Sequence, residues 1–109
     1  MLAIDISSRH MEIDEGIKKY IQEKIGKLEK YLDMMKAVEV VVSREDDHFE
    51  VEVICRIHKQ NPIIAKKQSD DIPSAVDKLH DILEVKLSRL KDKVKKRKSR
   101  ESARFSVDD

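Results

Sequence analysis

The residues of this chain with the most evident chemistry are cations concentrated near its C-terminal end. Nine of the 23 lysine and arginine residues, but only one of the 22 acidic residues, lie between Lys86 and Arg100. The remaining chain carries 14 basic and 21 acidic residues, so a formal net charge of +1 conceals a basic block joined to an acidic remainder. This distribution predicts that one end of the molecule binds a polyanion.

The basic block has the spacing of a packed helix, because Leu87, Leu90 and Val94 recur at helical intervals. On a helical wheel of about 100° per residue, cations and carboxylates fall on opposite flanks. The basic flank consists of Lys78, Lys86, Arg89, Lys93 and Lys96. The acidic flank consists of Asp77, Asp81, Glu84 and Asp92. A helix that is merely soluble intersperses the two signs, so their separation favours a phosphate-binding surface.

Two apolar residues interrupt the basic flank. Ile82 and Val85 fall among the cations on the same wheel, away from the core stripe. They are either ordinary isolated surface residues or an apolar contact for a ribose, a base or a protein partner. On the preceding helix, Lys27 and Lys30 share one flank with Lys19. The sequence therefore predicts a basic surface built from two helices.

Alternation and periodicity predict the elements that position these charges. Strand alternation is seen at residues 2–7, 38–43 and 49–58, and a short strand is expected at 63–69. A helical stripe begins after the capping Asp14 and includes Leu32, and a second begins near Asp70-Asp71 with Pro73 in its first turn. The order β-α-β-β-β-α predicts an α+β fold, with a four-stranded, mostly antiparallel sheet and both helices on one face.

Several classes of function are disfavoured by what the chain contains. A single cysteine, Cys55, cannot form an internal disulfide, and four histidines show no metal-binding spacing, so no metal or other cofactor is expected. Neither a nucleotide-binding loop nor a nucleophile motif is present, which predicts a protein that is not an enzyme and has no small-molecule substrate. No signal peptide or membrane helix is recognisable, so a cytoplasmic protein without membrane contact is expected. Aromatic residues are too few for base stacking along a single strand, which favours structured RNA as the polyanion.

Two segments then resemble a known family. ISSRHMEIDEGIKKYIQEKIGKLEKYLD is similar to the opening of the ribosome hibernation promoting factor and ribosome-associated inhibitor A (protein Y) family. SDDIPSAVDKLHDILEVKLSRLKDKVKK resembles the second helix of that family. The resemblance covers roughly residues 2–98, predicted here as one ribosome-binding domain followed by a flexible tail at 99–109. It implies a fold like that of double-stranded-RNA-binding domains.

The resemblance implies a translation inhibitor that binds the small ribosomal subunit at the decoding centre and blocks mRNA and tRNA under stress or in stationary phase. The rRNA-binding positions that it carries over are Lys18, Lys27, Lys30, Arg89 and Lys93. Lys86 stands where the family usually has glutamine, so its assignment, like those of Lys78 and Lys96, rests on the wheel.

The chain also departs from the family pattern. Ile82 and Val85 replace residues that are commonly Lys and Arg, and Pro73 replaces a usual Tyr. The chain ends soon after the second helix, so the resemblance suggests a short form that is a monomer off the ribosome. Its ending, ARFSVDD, leaves open whether it promotes or opposes ribosome dimerisation. The alternative is a protein–protein adaptor that regulates transcription factors through Ile82, Val85 and the acidic flank.

Overall fold

The computed structural model describes the backbone of residues 2–108 and the side chains of residues 2–94. It confirms the predicted order of elements and the α+β class. The strands are β1 (Ile4–Arg9), β2 (Met35–Arg44), β3 (Phe49–Ile57) and β4 (Ile63–Ser69). The helices are α1 (Glu15–Gly26), a 3₁₀ segment (Lys27–Met34) that follows it directly, and α2 (Ile72–Asp108).

The four strands form one mixed sheet in the order β1-β2-β3-β4. β1 and β2 are parallel because α1 and the 3₁₀ segment carry the chain back between them, whereas short turns make the other pairs antiparallel. Alternation places one set of side chains beneath the helices, where they are almost completely buried: Val38, Val40, Val42, Val51, Val53 and Cys55. The helices therefore cover one face of the sheet, as predicted.

The opposite face of the sheet is exposed, and several of its charges are paired there. The Arg56 Nε atom lies 2.9 Å from the Glu39 Oε1 atom. The Lys66 Nζ atom lies 3.1 Å from Glu50 Oε1 and 3.8 Å from Glu52 Oε2. Interspersed signs of this kind suit a solvated surface rather than a polyanion-binding one.

The first helical region differs from the prediction of one continuous stripe. Asp14 caps α1 as expected, since its Oδ1 atom accepts a hydrogen bond from the Ile17 amide at 2.8 Å. After Gly26 the chain tightens into the 3₁₀ segment, where about three residues make a turn and the stripe changes phase. Tyr31 consequently points into the core and Leu32 is exposed, so the prediction that Leu32 belongs to the core stripe is wrong.

α2 begins where Asp71 accepts a hydrogen bond from the Ser74 amide at 2.8 Å, which confirms the predicted cap. Its core stripe lies against β3 and β4 on one side and α1 on the other: Ala75, Val76, Leu79, Leu83 and Leu87. Leu90 and Val94 are only partly buried. The division into a domain at 1–98 and a flexible tail at 99–109 stays a prediction, although the backbone is helical through Asp108.

Candidate RNA-binding surface

The acidic flank of α2 supplies two carboxylates that bind residues of the first helical region. Asp77 accepts a hydrogen bond from the Tyr20 hydroxyl, and its Oδ1 atom lies 3.6 Å from the Lys24 Nζ atom. Two turns further along, Glu84 forms an ion pair with Lys30 and accepts a hydrogen bond from the Tyr31 hydroxyl at 3.1 Å. We call this line of contacts between the helices the helix seam: Tyr20, Lys24, Lys30, Tyr31, Asp77 and Glu84.

The electrostatics of the helix seam are consistent with these contacts. The hydrogen bond from Lys30 holds the pKa of Glu84 below its ordinary value, and the same bond raises the pKa of Lys30. The pKa of Tyr20 is raised mainly by its hydrogen bond to Asp77, and that of Tyr31 mainly by burial. Lys91 belongs to the basic block, but its Nζ atom lies 5.9 Å from the centre of the Tyr31 ring. Two of the four carboxylates of the acidic flank, Asp77 and Glu84, are thus engaged with the first helical region.

The structure separates the basic residues that were predicted on the first helix. Lys30 is engaged with Glu84, although 58% of its side chain remains exposed. Lys27 is exposed at the start of the 3₁₀ segment. Lys18 lies on the β1 side of α1, where it lines a small cavity with Ser7 and Ser8. These three lysines therefore do not form one row, and Lys18 faces away from α2.

The basic flank of α2 is arranged differently. Lys86, Arg89 and Lys93 line one wall of an open groove of about 990 Å³, which we call the α2–β4 groove. Its other wall is the turn between β3 and β4 together with the start of β4, contributed by Gln60, Asn61, Pro62, Ile63 and Ile64. Leu90 and Asp92 complete the lining. Asp92 had been predicted on the acidic flank, but it contributes to this groove.

No cation of the basic flank is neutralised within the part of the molecule whose side chains are described. Lys78, Lys86, Arg89 and Lys93 are all exposed, and none makes an ion pair with another residue among positions 2–94. Lys78 lies about two turns before Lys86 along α2, outside the groove. Lys96 lies outside the residues whose side chains are described. A row of unneutralised cations repels itself, and this cost is relieved by phosphates.

The turn residues of the groove lie between the strands predicted at 49–58 and 63–69, and the sequence did not single them out. Gln60 and Asn61 are exposed amides beside a cationic wall. Lys59, which precedes them, adopts a left-handed backbone conformation with φ of 60°, unusual for a residue with a side chain. Their proximity to α2 could have been inferred from topology, because α2 follows β4 directly and folds back over it.

The two apolar residues of the basic flank have different environments. Val85 is 48% exposed, as the helical wheel predicted. Ile82 is partly buried and packs against the core, so the prediction that it points away from the core is wrong. The reason is that α2 contacts both β4 and α1, which makes its buried surface wider than a single stripe. Whether either residue contacts a ligand stays a prediction.

Other candidate chemistry is sparse in the described part of the chain. Burial raises the pKa of the Cys55 thiol to about 11, which keeps it protonated and unreactive. Among the described residues, no group of three or more His, Cys, Asp or Glu side chains could hold a metal ion. None of the described helices is long and apolar enough to cross a membrane.

Comparison with known proteins gives consistent matches. Residues 4–95 match the model of a family described as "Sigma 54 modulation protein / S30EA ribosomal protein". The chain is 27% identical over 92 residues to the ribosome hibernation promoting factor of Pseudomonas putida, covering 84% of this chain and 89% of that protein. It is 25% identical over 107 residues to the ribosome-associated factor Y of Haemophilus influenzae, covering 98% and 99% of the two chains.

Solved structures share the fold. The N-terminal domain of Thermus thermophilus Protein Y superposes with a TM-score of 0.72 at 23% identity, covering 83% of this chain and 99% of that one. A ribosomal subunit interface protein from Coxiella burnetii superposes with a TM-score of 0.75 at 20% identity, covering 82% and 97%. At these identities the likeness establishes the fold, a four-stranded mixed sheet with two helices on one face.

Proposed function

The chain belongs to the Sigma 54 modulation protein / S30EA ribosomal protein family, and on that premise we propose that it is a ribosome-associated hibernation factor. It binds RNA of the small ribosomal subunit near the decoding centre and blocks access of mRNA and tRNA under stress or in stationary phase. It acts in the cytoplasm by occupancy rather than by catalysis, and it is a monomer away from the ribosome. The names of the relatives in Pseudomonas putida and Haemophilus influenzae support ribosome association and hibernation.

The observation that carries this proposal is the unneutralised basic flank of α2. Four exposed cations, Lys78, Lys86, Arg89 and Lys93, share that flank without an ion pair among the described residues. Two carboxylates of the same helix, Asp77 and Glu84, are instead engaged at the helix seam, whereas Asp92 lines the α2–β4 groove with the cations. Each phosphate that these cations neutralise releases counterions, so binding weakens steeply as salt rises. Lys27 and the exposed part of Lys30 provide further positive charge on the first helical region.

Co-sedimentation with purified small subunits at increasing salt tests the proposal. The logarithm of the binding constant is expected to fall linearly with the logarithm of salt concentration, by about 0.7 to 0.9 per phosphate contact. Arg89→Glu should weaken binding by about tenfold or more, since a hydrogen bond to a charged group contributes about 1.5–3 kcal/mol. Arg9→Glu is the matched control, because Arg9 is an exposed arginine at the end of β1, on the opposite edge of the sheet from β4.

Two results would contradict this function. One is binding that does not depend on salt or that survives Arg89→Glu unchanged. The other concerns location: initiator tRNA and this protein should compete for the same small subunit, so a stable complex that contains both would place the protein elsewhere.

A second candidate function is a protein–protein adaptor for transcription factors. It is favoured by the 48% exposure of Val85 and by the words "Sigma 54 modulation" in the description of the family. A pull-down from nuclease-treated lysate separates the two candidates. An adaptor keeps its partner when RNA is destroyed and loses it on Val85→Ser, whereas a ribosome-bound factor loses its partner on nuclease treatment alone.

A further inference from the structure

The α2–β4 groove has a composition that phosphate binding alone does not require. Its cationic wall is Lys86, Arg89 and Lys93, but the facing wall consists of two amide side chains and apolar residues. A surface that only neutralised a phosphate backbone would need neither an apolar floor nor amides. At about 990 Å³, the groove lies at the upper end of the range for small-ligand sites, roughly 300–1,000 Å³.

We propose that the α2–β4 groove binds one unpaired, unstacked nucleotide of a structured RNA. This inference rests on the proposed function, because it names the feature of RNA that the same basic flank would recognise. The proposal is that folded RNA binds by its phosphates along α2 while a single base leaves its stack and enters the groove.

Each part of a nucleotide has a matching group in the groove. Lys86 and Lys93 lie on either side of Arg89 along α2 and can neutralise the phosphates that flank the unpaired nucleotide. The planar guanidinium of Arg89 can lie against the face of a base, a contact that proteins use in recognising unpaired RNA. Among the residues whose side chains are described, no aromatic one lines the groove, so Arg89 is the group available there for such stacking.

The facing wall supplies contacts for the rest of the base. Pro62, Ile63 and Leu90 offer apolar surface, of which Ile63 and Leu90 are already partly buried and therefore held in place by the core. The amides of Gln60 and Asn61 each provide donors and an acceptor, which can pair with the edge of a base. This combination of an apolar floor and convergent polar groups is typical of small-molecule sites.

Charge decides between this occupant and an acidic peptide. Asp92 also lines the groove, so its charges are three cations and one carboxylate rather than cations alone. A carboxylate repels the side chains of an acidic peptide, but it can accept a hydrogen bond from a base amino group or from a ribose 2′-hydroxyl. The groove thus matches a ligand that combines negative phosphates with hydrogen-bond donors, which describes a nucleotide.

Three RNA hairpins with equal numbers of phosphates test the proposal. All three have the same loop. One has a fully paired stem, one has a single-nucleotide bulge in its stem, and one has the same bulge without its base. We expect the full-length protein to bind the base-containing bulge at least about fivefold more tightly than the abasic bulge, since a well-held base contributes about 1–3 kcal/mol. The double variant Gln60→Ala, Asn61→Ala should reduce this ratio toward one, and both residues are exposed, so the fold is preserved.

The matched control is Gln68→Ala, which removes an exposed amide from the other end of β4. It should leave the ratio between the bulged and abasic hairpins unchanged. Equal affinity for the two hairpins, equal loss in the control, or equally effective competition by polyglutamate would each overturn the inference. Failure to bind any hairpin would overturn it as well. Salt-sensitive sedimentation with small subunits would then still support the proposed function, so the two failures are distinguishable.

Discussion

The two flanks of α2 carry opposite charges and differ in the contacts that they make within the molecule. On the acidic flank, Asp77 and Glu84 bind tyrosine and lysine side chains across the helix seam. On the basic flank, Lys86, Arg89 and Lys93 have no ion-pair partner among the side chains of residues 2–94 and line an open groove. One row of charges is therefore used to hold two helices together. The other is available to a partner.

This difference shows that the location of the cations indicates an RNA-binding surface better than their number does. The exposed face of the sheet has cations too, but Arg56 and Lys66 are paired with glutamates. Lys24 and Lys30 are likewise paired, across the helix seam. Among the cations that have no ion pair in the described part of the chain, Lys78, Lys86, Arg89 and Lys93 lie together on one flank of α2.

The largest expected effect comes from reversing the basic flank. The triple variant Lys86→Glu, Arg89→Glu, Lys93→Glu should lower affinity for small-subunit RNA by at least about 100-fold, and the salt slope should fall by about three. Thermal stability should change little, because these side chains are exposed and unpaired among the described residues. Filter binding across a salt series, together with thermal melting, checks both. Retained affinity would mean that the partner binds elsewhere.

Disrupting the acidic flank should have the opposite effect. Glu84→Gln removes the charge that pairs with Lys30, whereas its amide oxygen can still accept the Tyr31 hydrogen bond. Because Lys30 is largely exposed, the free energy of unfolding should fall by up to about 1 kcal/mol. Affinity for RNA should stay the same or rise, because Lys30 loses its carboxylate partner. Urea denaturation and the same filter-binding assay measure the two quantities. A stable but RNA-deficient Glu84→Gln variant would reverse the roles assigned to the flanks.

The pH dependence of stability provides a control for that variant. The pKa of Glu84 is lower in the folded protein than its ordinary value of 4.5, so its contribution is present above about pH 4.5 and is lost as pH falls through the folded pKa. Wild type should therefore lose more stability than Glu84→Gln between about pH 5 and 3. Parallel acid titrations would count against the ion pair.

The turn between β3 and β4, beside the α2–β4 groove, should tolerate a stabilising substitution at Lys59. Lys59 has φ of 60°, which costs an L-residue roughly 1 kcal/mol and costs glycine almost nothing. Lys59→Gly should therefore raise the free energy of unfolding by up to about 1 kcal/mol, offset in part by the flexibility of glycine when unfolded. Chemical denaturation checks this, and Lys36→Gly, within a strand, should instead destabilise. Destabilisation by Lys59→Gly would show that the lysine side chain itself supports the turn.

The smallest effect is spectroscopic and reports on the helix seam alone. The two tyrosines, Tyr20 and Tyr31, are the only ones in the chain, and both belong to the seam. The pKa of each is raised above 10, so phenolate absorbance should appear later in an alkaline titration than for free tyrosine. Asp77→Asn should lower the midpoint of one of the two, and Asp81→Asn, on an exposed neighbour, should not. If both tyrosines titrated at the midpoint of free tyrosine, the result would argue against their hydrogen bonds to Asp77 and Glu84.

The sequence predicted the strands well because apolar residues recur at every second position along them, even though Val41 and Ile54 are apolar residues of the opposite face. Val38, Val40 and Val42 on β2, with Val51 and Val53 on β3, are enough to fix which face is covered. The first helical region was less predictable. Its stripe continues past Gly26 in the sequence, and only the change to 3₁₀ geometry buries Tyr31 in place of Leu32.

The candidate surface was only partly predictable for a related reason. A helical wheel separates the flanks of α2, but it cannot show which flank meets α1. The contacts of Glu84 with Lys30 and Tyr31 depend on how two helices pack, since Tyr31 and Glu84 are 53 positions apart in the sequence. Gln60 and Asn61 carry no motif, and they join the groove because β4 and α2 fold back beside their turn. Both the contacts of Glu84 and the position of Gln60 and Asn61 in the groove therefore depend on tertiary packing.

The most direct test compares one neutralising change on each flank of α2, Arg89→Gln and Glu84→Gln, in the same two assays. Arg89→Gln should weaken binding to small-subunit RNA by about tenfold and leave the free energy of unfolding unchanged. Glu84→Gln should lower the free energy of unfolding and leave the affinity for RNA equal or higher. If both variants lose stability and affinity together, the two flanks do not have separate roles and the account is contradicted.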